Sequence, residues 1–194
     1  MVLAVLALTG CKTKKEVTTP PPAVVEEPAP DPVDPLAVVQ AFYEAYNVKD
    51  FDALDDLISD DVLVLEDGSV QAEGKGAYLN LVRYGQAITT TVEPQSFRSD
   101  EYGVTVDEVQ DNQVVQFFYG STIKTTTVFD VNDEGRITEI STSLPPMSDQ
   151  ADLKAGDFME WAKLNHPETF TKILDFNAEG GKAFKELMEM YQKE

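Results

Sequence analysis

The sequence has little of the chemistry that builds disulfides and metal sites. Its 194 residues include one cysteine and one histidine. A single cysteine excludes a disulfide within the chain, and together the two residues are too few for a zinc site of Cys and His ligands. We therefore expect no metal centre, and no residue pattern points to a cofactor.

Basic residues are also scarce. The chain has 15 Lys and Arg against 35 Asp and Glu, for a formal net charge of −20. Such a field repels phosphate, which disfavours nucleic-acid binding and a purely electrostatic hold on anionic lipid. Most of the acidity falls in residues 36–148, with 20 acidic and 6 basic side chains. A solvated surface is the ordinary interpretation, because no calcium-loop spacing is present.

No apolar run is long enough to cross a bilayer. The first ten residues are apolar or small, and as a helix they would span only about 15 Å of a hydrocarbon core of about 30 Å. They are typical of the apolar region of a secretion signal. The basic segment that normally precedes such a region is missing, so we expect the natural start to lie upstream.

The apolar run ends in Leu8-Thr9-Gly10-Cys11. This segment resembles the bacterial lipobox, whose cysteine is acylated after export and becomes the new N-terminus. The resemblance implies lipidation at Cys11 and an envelope lipoprotein held to the membrane, on the outer membrane or the periplasmic face. The alternative is a free cysteine in an ordinary N-terminal strand.

A proline-rich segment follows the cysteine. Seven of the eleven prolines lie within residues 12–35, and such a composition favours an extended, semi-rigid spacer. A proline-rich ligand for a partner is the alternative. The predicted organisation is a signal segment (1–11), a tether (12–34), a domain (35–146) and a C-terminal helical extension (147–194).

Hydrophobic periodicity predicts a domain of helices followed by strands. Asp34-Pro35 opens a helix over 35–48, Asp50 caps a second, short helix, and a third helix spans 75–88. A short strand is expected at 62–65. Further strands are expected at 92–98, 102–109, 112–120, 122–131 and 136–144. Residues 149–194 return to helix, with a break at Asn165-His166-Pro167 and another at Gly180-Gly181.

Residues 36–144 resemble the nuclear transport factor 2-like superfamily, which includes SnoaL-like proteins and ketosteroid isomerases. The segments that carry the resemblance are Phe42-Tyr43-Glu44-Ala45-Tyr46, Asp50-Phe51-Asp52-Ala53-Leu54, Ile58-Ser59-Asp60-Asp61-Val62, Glu66-Asp67-Gly68, Gly74-Lys75-Gly76-Ala77-Tyr78 and Asn132-Asp133-Glu134-Gly135-Arg136-Ile137. The resemblance implies an α+β fold in which a strongly curved antiparallel sheet wraps N-terminal helices into a cone with a pocket. The C-terminal helical extension is additional to that domain.

The same resemblance suggests catalytic candidates. Asp67 matches the aspartate that ketosteroid isomerases use as a general base, whereas Phe42 stands where those enzymes carry a tyrosine. Tyr43 is one position on, about 100° around the helix, and is expected to point elsewhere. The alternative is that Asp67 is simply the aspartate of an Asp-Gly turn.

Four further aromatic residues are candidates for lining a ligand pocket, although aromatic residues at such spacings usually fill a core. They are Tyr46, Phe117, Tyr119 and Trp161.

Three function classes remain open from the sequence. The first is a non-catalytic lipoprotein whose domain binds a small apolar molecule or a protein partner. The second is a cofactor-independent enzyme of the SnoaL-like or isomerase kind that uses Asp67. The third is a purely structural homodimer.

Overall fold

The computed structural model describes residues 32–194, so the predicted signal segment, Cys11 and almost all of the tether lie outside the described residues. The helices are α1 (Pro35–Val48), α2 (Phe51–Leu57), α3 (Lys75–Ala87), α4 (Gln113–Tyr119), α5 (Asp149–Asn165), α6 (Pro167–Ile173) and α7 (Ala178–Tyr191). The strands are β1 (Ile58–Glu66), β2 (Ser69–Glu73), β3 (Thr91–Asp100), β4 (Gly103–Asp111), β5 (Ile123–Val131) and β6 (Ile137–Ser143). None of the helices in this part of the chain is both long and apolar enough to cross a bilayer.

Helix α1 begins and ends where the sequence predicts. The Asp34 carboxylate accepts a hydrogen bond from the backbone N–H of Leu36 at 3.1 Å, and Pro35 occupies the first turn. Lys49 ends the helix in the left-handed conformation, with φ of 60°. Asp50 then caps α2, as predicted, by accepting from the N–H of Ala53 at 3.0 Å.

The six strands form one sheet in the order β2-β1-β6-β5-β4-β3. Neighbouring strands are antiparallel except β1 and β6, which run parallel. Helix α1 packs on β3, β4 and β5, and α3 packs on β1 and β2, which encloses the main core between helices and sheet. The predicted fold class, an α+β domain of N-terminal helices and a sheet with additional C-terminal helices, is confirmed.

The strand predicted over 112–120 is wrong, because this segment forms helix α4. The side chain of Asn112 caps the helix by accepting from the N–H of Val115 at 2.7 Å, and Gly120 ends it with φ of 72°. The β-branched and aromatic residues of the segment favour a strand in isolation. Here they are buried against the C-terminal helices, and this tertiary packing outweighs their local preference.

The C-terminal helices form a second core with α4. Its buried members are Phe117, Phe158, Ala162, Ile173, Ala183, Phe184, Leu187 and Met188. The break predicted near residue 166 is present, between α5 and α6.

The break predicted at Gly180-Gly181 is wrong, because both glycines lie inside the first turns of α7, after the cap Asn177. Their role is close packing. A Cβ on Gly181 would lie 2.7 Å from the carbonyl oxygen of Tyr84 and 2.8 Å from Cβ of Ala87, both on α3.

Candidate ligand cavity

A cavity of about 180 Å³ lies between helices α1 and α3 and the inner face of the sheet. Five aromatic rings line it: Phe42, Tyr43, Tyr46, Tyr78 and Phe129. Its polar lining comes from Glu66, Glu108, Gln110, Thr127 and Thr142. An engineered cavity of about 150 Å³ holds benzene, so this cavity has the size for a small ring or a compact branched molecule.

A buried carboxylate is the centre of the polar lining. Glu108 is only 6% exposed. One of its oxygens accepts from the hydroxyl of Tyr43, and the other accepts from the hydroxyls of Thr125 at 2.9 Å and Thr127 at 2.8 Å. The hydroxyl oxygens of Thr127 and Thr142 are in turn 3.0 Å apart. Both oxygens of the carboxylate are therefore engaged by protein donors.

Strand periodicity places these groups together. Side chains alternate between the two faces of a strand, so Glu108 shares the buried face of β4 with Val104 and Val106. Thr125 and Thr127 share the buried face of β5 in the same way. Antiparallel pairing then sets Thr125 directly opposite Glu108.

Tyr78, one of the lining residues, carries a buried hydroxyl without a partner within residues 32–194. The residue is 5% exposed, and its hydroxyl oxygen is fully buried without a hydrogen-bond partner among the described residues. A buried polar group without a partner costs about 1–3 kcal/mol.

Burial and mutual repulsion hold the cavity tyrosines in their neutral form. Removal from water raises the pKa of Tyr43, and the Glu108 carboxylate raises it further. The same two causes raise the pKa of Tyr46 to about 12. Burial also raises the pKa of Tyr78 well above its ordinary value, with Tyr46 as a second cause. These hydroxyls therefore act as neutral hydrogen-bonding groups at physiological pH.

The cavity continues into an outer groove of about 400 Å³. Tyr46, Glu66 and Leu81 line both spaces. Glu66 has a raised pKa, because it is partly removed from water and stands beside Asp67. The far wall of the groove includes Phe176, which precedes α7 and packs edge-on against Tyr84 at 5.8 Å between ring centroids. The C-terminal helical extension thus contributes to the wall of this groove.

The structure does not bring Asp67 into the cavity. The residue lies in the exposed turn between β1 and β2, with φ of 48°, and is not part of the lining. Its carboxylate accepts a hydrogen bond from the N–H of Leu144 at 3.0 Å, and its own N–H donates to the carbonyl of Thr142. Asp67 therefore ties the turn to the end of β6.

The other candidates divide between the cavity and the second core. Tyr43 and Tyr46 line the cavity. The expectation that Tyr43 points away from the pocket is wrong, because the helix packs on three strands and buries Phe42 and Tyr43 together. Phe117 and Trp161 belong to the second core, packed around Phe158, and so lie away from the cavity. Tyr119 lines the outer groove.

Glu108, Tyr78 and the threonines of β5 were not predicted as site residues from the sequence. A signal for Glu108 was present, because it continues the alternation of Val104 and Val106, and a carboxylate on a buried strand face needs donors. Tyr78 lies on the third predicted helix and was given no role in a site. Among residues 32–194, no three His, Cys, Asp or Glu side chains are placed to hold a metal ion.

Solved structures similar in fold come from several kinds of protein. The epoxide hydrolase/cyclase-like enzyme SalBIII of salinomycin pyran-ring formation aligns with a TM-score of 0.51 and 18% identity, over 57% of this chain and 90% of its own. An LEH-like epoxide hydrolase of M. tuberculosis aligns with a TM-score of 0.48 and 23% identity, over 72% of this chain and 100% of its own. A putative polyketide cyclase of Sinorhizobium meliloti aligns with a TM-score of 0.48 and 24% identity, over 55% of this chain and 93% of its own. At these identities the similarity shows the fold alone.

The sequence itself defines the family. Residues 36–143 match the SnoaL-like domain, which is more than half of the chain. The chain therefore belongs to the SnoaL-like domain family. No curated protein is significantly similar to it in sequence.

Proposed function

We propose that the protein is an envelope lipoprotein, anchored through acyl chains on Cys11, whose SnoaL-like domain binds a small, largely apolar molecule without transforming it. The observation that carries the binding role is a cavity with five aromatic rings and one unused buried hydroxyl, that of Tyr78. Apolar walls with a few placed polar groups are the usual composition of a ligand site.

The polar groups of the cavity support binding rather than proton transfer. A general base must come within hydrogen-bond reach of the proton that it abstracts. Both oxygens of Glu108 already accept hydrogen bonds, three in all, from Tyr43, Thr125 and Thr127. A substrate proton would therefore have to compete with three protein donors for this carboxylate.

The alternative function, a cofactor-independent isomerase-like enzyme with Asp67 as its base, has weaker support. Catalysis at a carbon acid needs the base and a stabilising donor around one substrate position. Asp67 is exposed and bonded to Leu144, whereas the hydroxyls of Tyr43 and Tyr78 belong to the cavity.

The binding role is tested by titrating the full chain with phenol and with cyclohexanone, two neutral rings of suitable size, and following NMR chemical shifts. We expect saturable shifts at cavity residues such as Phe129 and Val82. The proposal fails if neither of these two rings nor a small organic cation such as choline gives saturable shifts there. Incubation with cyclohexanone in deuterated water also tests catalysis, since enolisation would exchange its α-hydrogens. Protein-catalysed exchange would favour the enzyme.

The anchoring role rests on the Leu8-Thr9-Gly10-Cys11 segment and on the proline-rich tether that follows it. Attachment by two or three acyl chains is effectively permanent, since each buried CH₂ contributes about 0.8 kcal/mol. The test is expression with the natural upstream region and labelling with a palmitate analogue. We expect label on the wild type and none on Cys11→Ser. Equal labelling of the two proteins would refute anchoring at Cys11.

A further inference from the structure

The buried carboxylate of the cavity has no counter-charge. Within the described residues, every ion pair lies elsewhere, and no Lys, Arg or His pairs with Glu108. The two arginines nearest in sequence to the cavity elements are engaged outside it: Arg98 pairs with Asp107, and Arg83 lies over the ring of Phe51. Buried charges in proteins are usually paired with an opposite charge. Glu108 relies on three hydroxyl donors alone.

The charged side chains of the cavity lining are all acidic. It contains two carboxylates, Glu66 and Glu108, and no basic side chain. An anionic ligand would be repelled by both carboxylates and by the net charge of −20. A neutral ligand would leave the charge of Glu108 uncompensated.

The aromatic part of the lining suits a positive charge. Aromatic rings attract organic cations through their electron-rich faces. One ring of the cavity wall already does so, because the ammonium of Lys49 lies 3.9 Å from the centroid of the Tyr46 ring. That ammonium also donates to the carbonyl of Thr90 at 3.0 Å and is not part of the cavity lining. The rings of Phe42, Tyr43, Tyr78 and Phe129 make up the rest of the aromatic lining.

We infer that the ligand of this cavity is a small organic cation, an ammonium compound with an apolar body, whose charge is balanced by Glu108 and enclosed by aromatic rings. This inference rests on the proposed binding function and names the class of its ligand. The cavity volume of about 180 Å³ limits the ligand to the size of a substituted ammonium head or a small cyclic amine.

The test compares two probes of the same shape, choline and its uncharged analogue 3,3-dimethyl-1-butanol. Binding to the full chain is measured by titration calorimetry and NMR at matched ionic strength. We expect choline to bind at least about tenfold more tightly, as one charge-assisted contact of about 1.4 kcal/mol would give. Glu108→Gln, which removes the charge and keeps the shape, should abolish this preference.

Glu93→Gln is the matched control, because it removes one charge from an exposed position on β3 outside the cavity. It should keep the preference for choline, which separates the local charge of Glu108 from the overall field. Persistence of the preference in Glu108→Gln would overturn the inference. If that variant does not fold, the wild-type comparison decides alone, and an analogue that binds as tightly as choline overturns the inference.

The remaining outcomes separate this inference from the binding function. If phenol or the alcohol binds in the cavity and choline does not, the ligand is not a cation but the domain remains a binding module. If none of the three probes binds, both conclusions fall.

Discussion

The hydroxyl of Tyr43 on helix α1 donates a hydrogen bond to the carboxylate of Glu108 on strand β4. The two residues are 65 positions apart in sequence, and their contact links the helical layer to the sheet at the cavity wall. Glu108 also accepts from Thr125 and Thr127 on the next strand. One side chain thus joins the helix and two strands and defines the polar centre of the site.

Two Tyr→Phe substitutions should differ in their effect on stability. Tyr43→Phe removes a donor from the buried Glu108 and should lower the free energy of unfolding by about 1–3 kcal/mol. Tyr78→Phe removes a hydroxyl that has no partner, so it should leave the stability unchanged or raise it by about 1 kcal/mol. Urea denaturation of the three proteins measures the difference. Equal losses in the two variants would show that Tyr43 has no special bond to Glu108.

The cavity tyrosines should make the fold sensitive to alkali. Tyr46 has a pKa of about 12 in the folded protein against an ordinary 10.0. Between these values the unfolded chain has already lost the proton that the folded chain keeps. The contribution of this proton to the free energy of unfolding is therefore at its full value below pH 10.0, and it is lost as the pH rises toward about 12.

Denaturation measured at a series of pH values should therefore show a falling free energy of unfolding in that window. The free energy of unfolding should fall less steeply with pH in Tyr46→Phe than in the wild type, by up to about 1.4 kcal/mol per pH unit for one proton. The raised pKa values of Tyr43 and Tyr78 extend the fall to higher pH. An unchanged slope in Tyr46→Phe would contradict the assignment.

Asp67 should prove structural. Asp67→Asn keeps an oxygen that can accept from Leu144, and asparagine tolerates the left-handed φ of 48°. We expect a change within about 0.5 kcal/mol and no loss in complementation of a deletion strain. Asp67→Ala loses the hydrogen bond and should cost about 1 kcal/mol. A folded Asp67→Asn protein that fails to complement would favour the isomerase-like enzyme.

Two Gly→Ala substitutions in C-terminal helices should have opposite signs. A Cβ on Gly181 meets the backbone of Tyr84 at 2.7 Å, so Gly181→Ala must separate α7 from α3 and should cost about 1–3 kcal/mol. A Cβ on Gly156 of α5 meets nothing within 4 Å. Gly156→Ala should therefore gain about 0.5–1 kcal/mol through helix propensity. Thermal melts that shift in the same direction would refute this account of the α3–α7 contact.

Local sequence patterns predict much of the domain's secondary structure. Helix α1 could be bounded from the sequence because Asp34, Pro35 and the apolar spacing are local signals for one element. Residues 113–119 could not, since their β-branched and aromatic composition favours a strand and only packing against Phe158 and Phe184 makes them helical. Gly180 and Gly181 were misassigned for a similar reason. Glycine signals a break locally, whereas here a neighbouring helix requires it.

The site was less predictable than the fold because it is assembled from distant residues. Asp67 was a catalytic candidate only through the family resemblance, and its turn lies outside the cavity. Glu108 sits in an ordinary strand alternation, and nothing local shows that Tyr43 will meet it. Tyr43 itself was predicted to face away, because it lies about 100° around the helix from Phe42. Its helix packs on several strands and buries two adjacent positions.

The central claim, that the cavity between α1, α3 and the sheet holds a ligand, is tested most directly by filling it. Leu81 lines the cavity, whereas Leu79, on the same helix and also half-buried, does not. The measurement is the affinity of the full chain for phenol, by NMR titration, in Leu81→Trp and in the matched control Leu79→Trp. The account predicts that saturable binding is lost in folded Leu81→Trp and kept in Leu79→Trp; binding that persists unchanged in Leu81→Trp would contradict it.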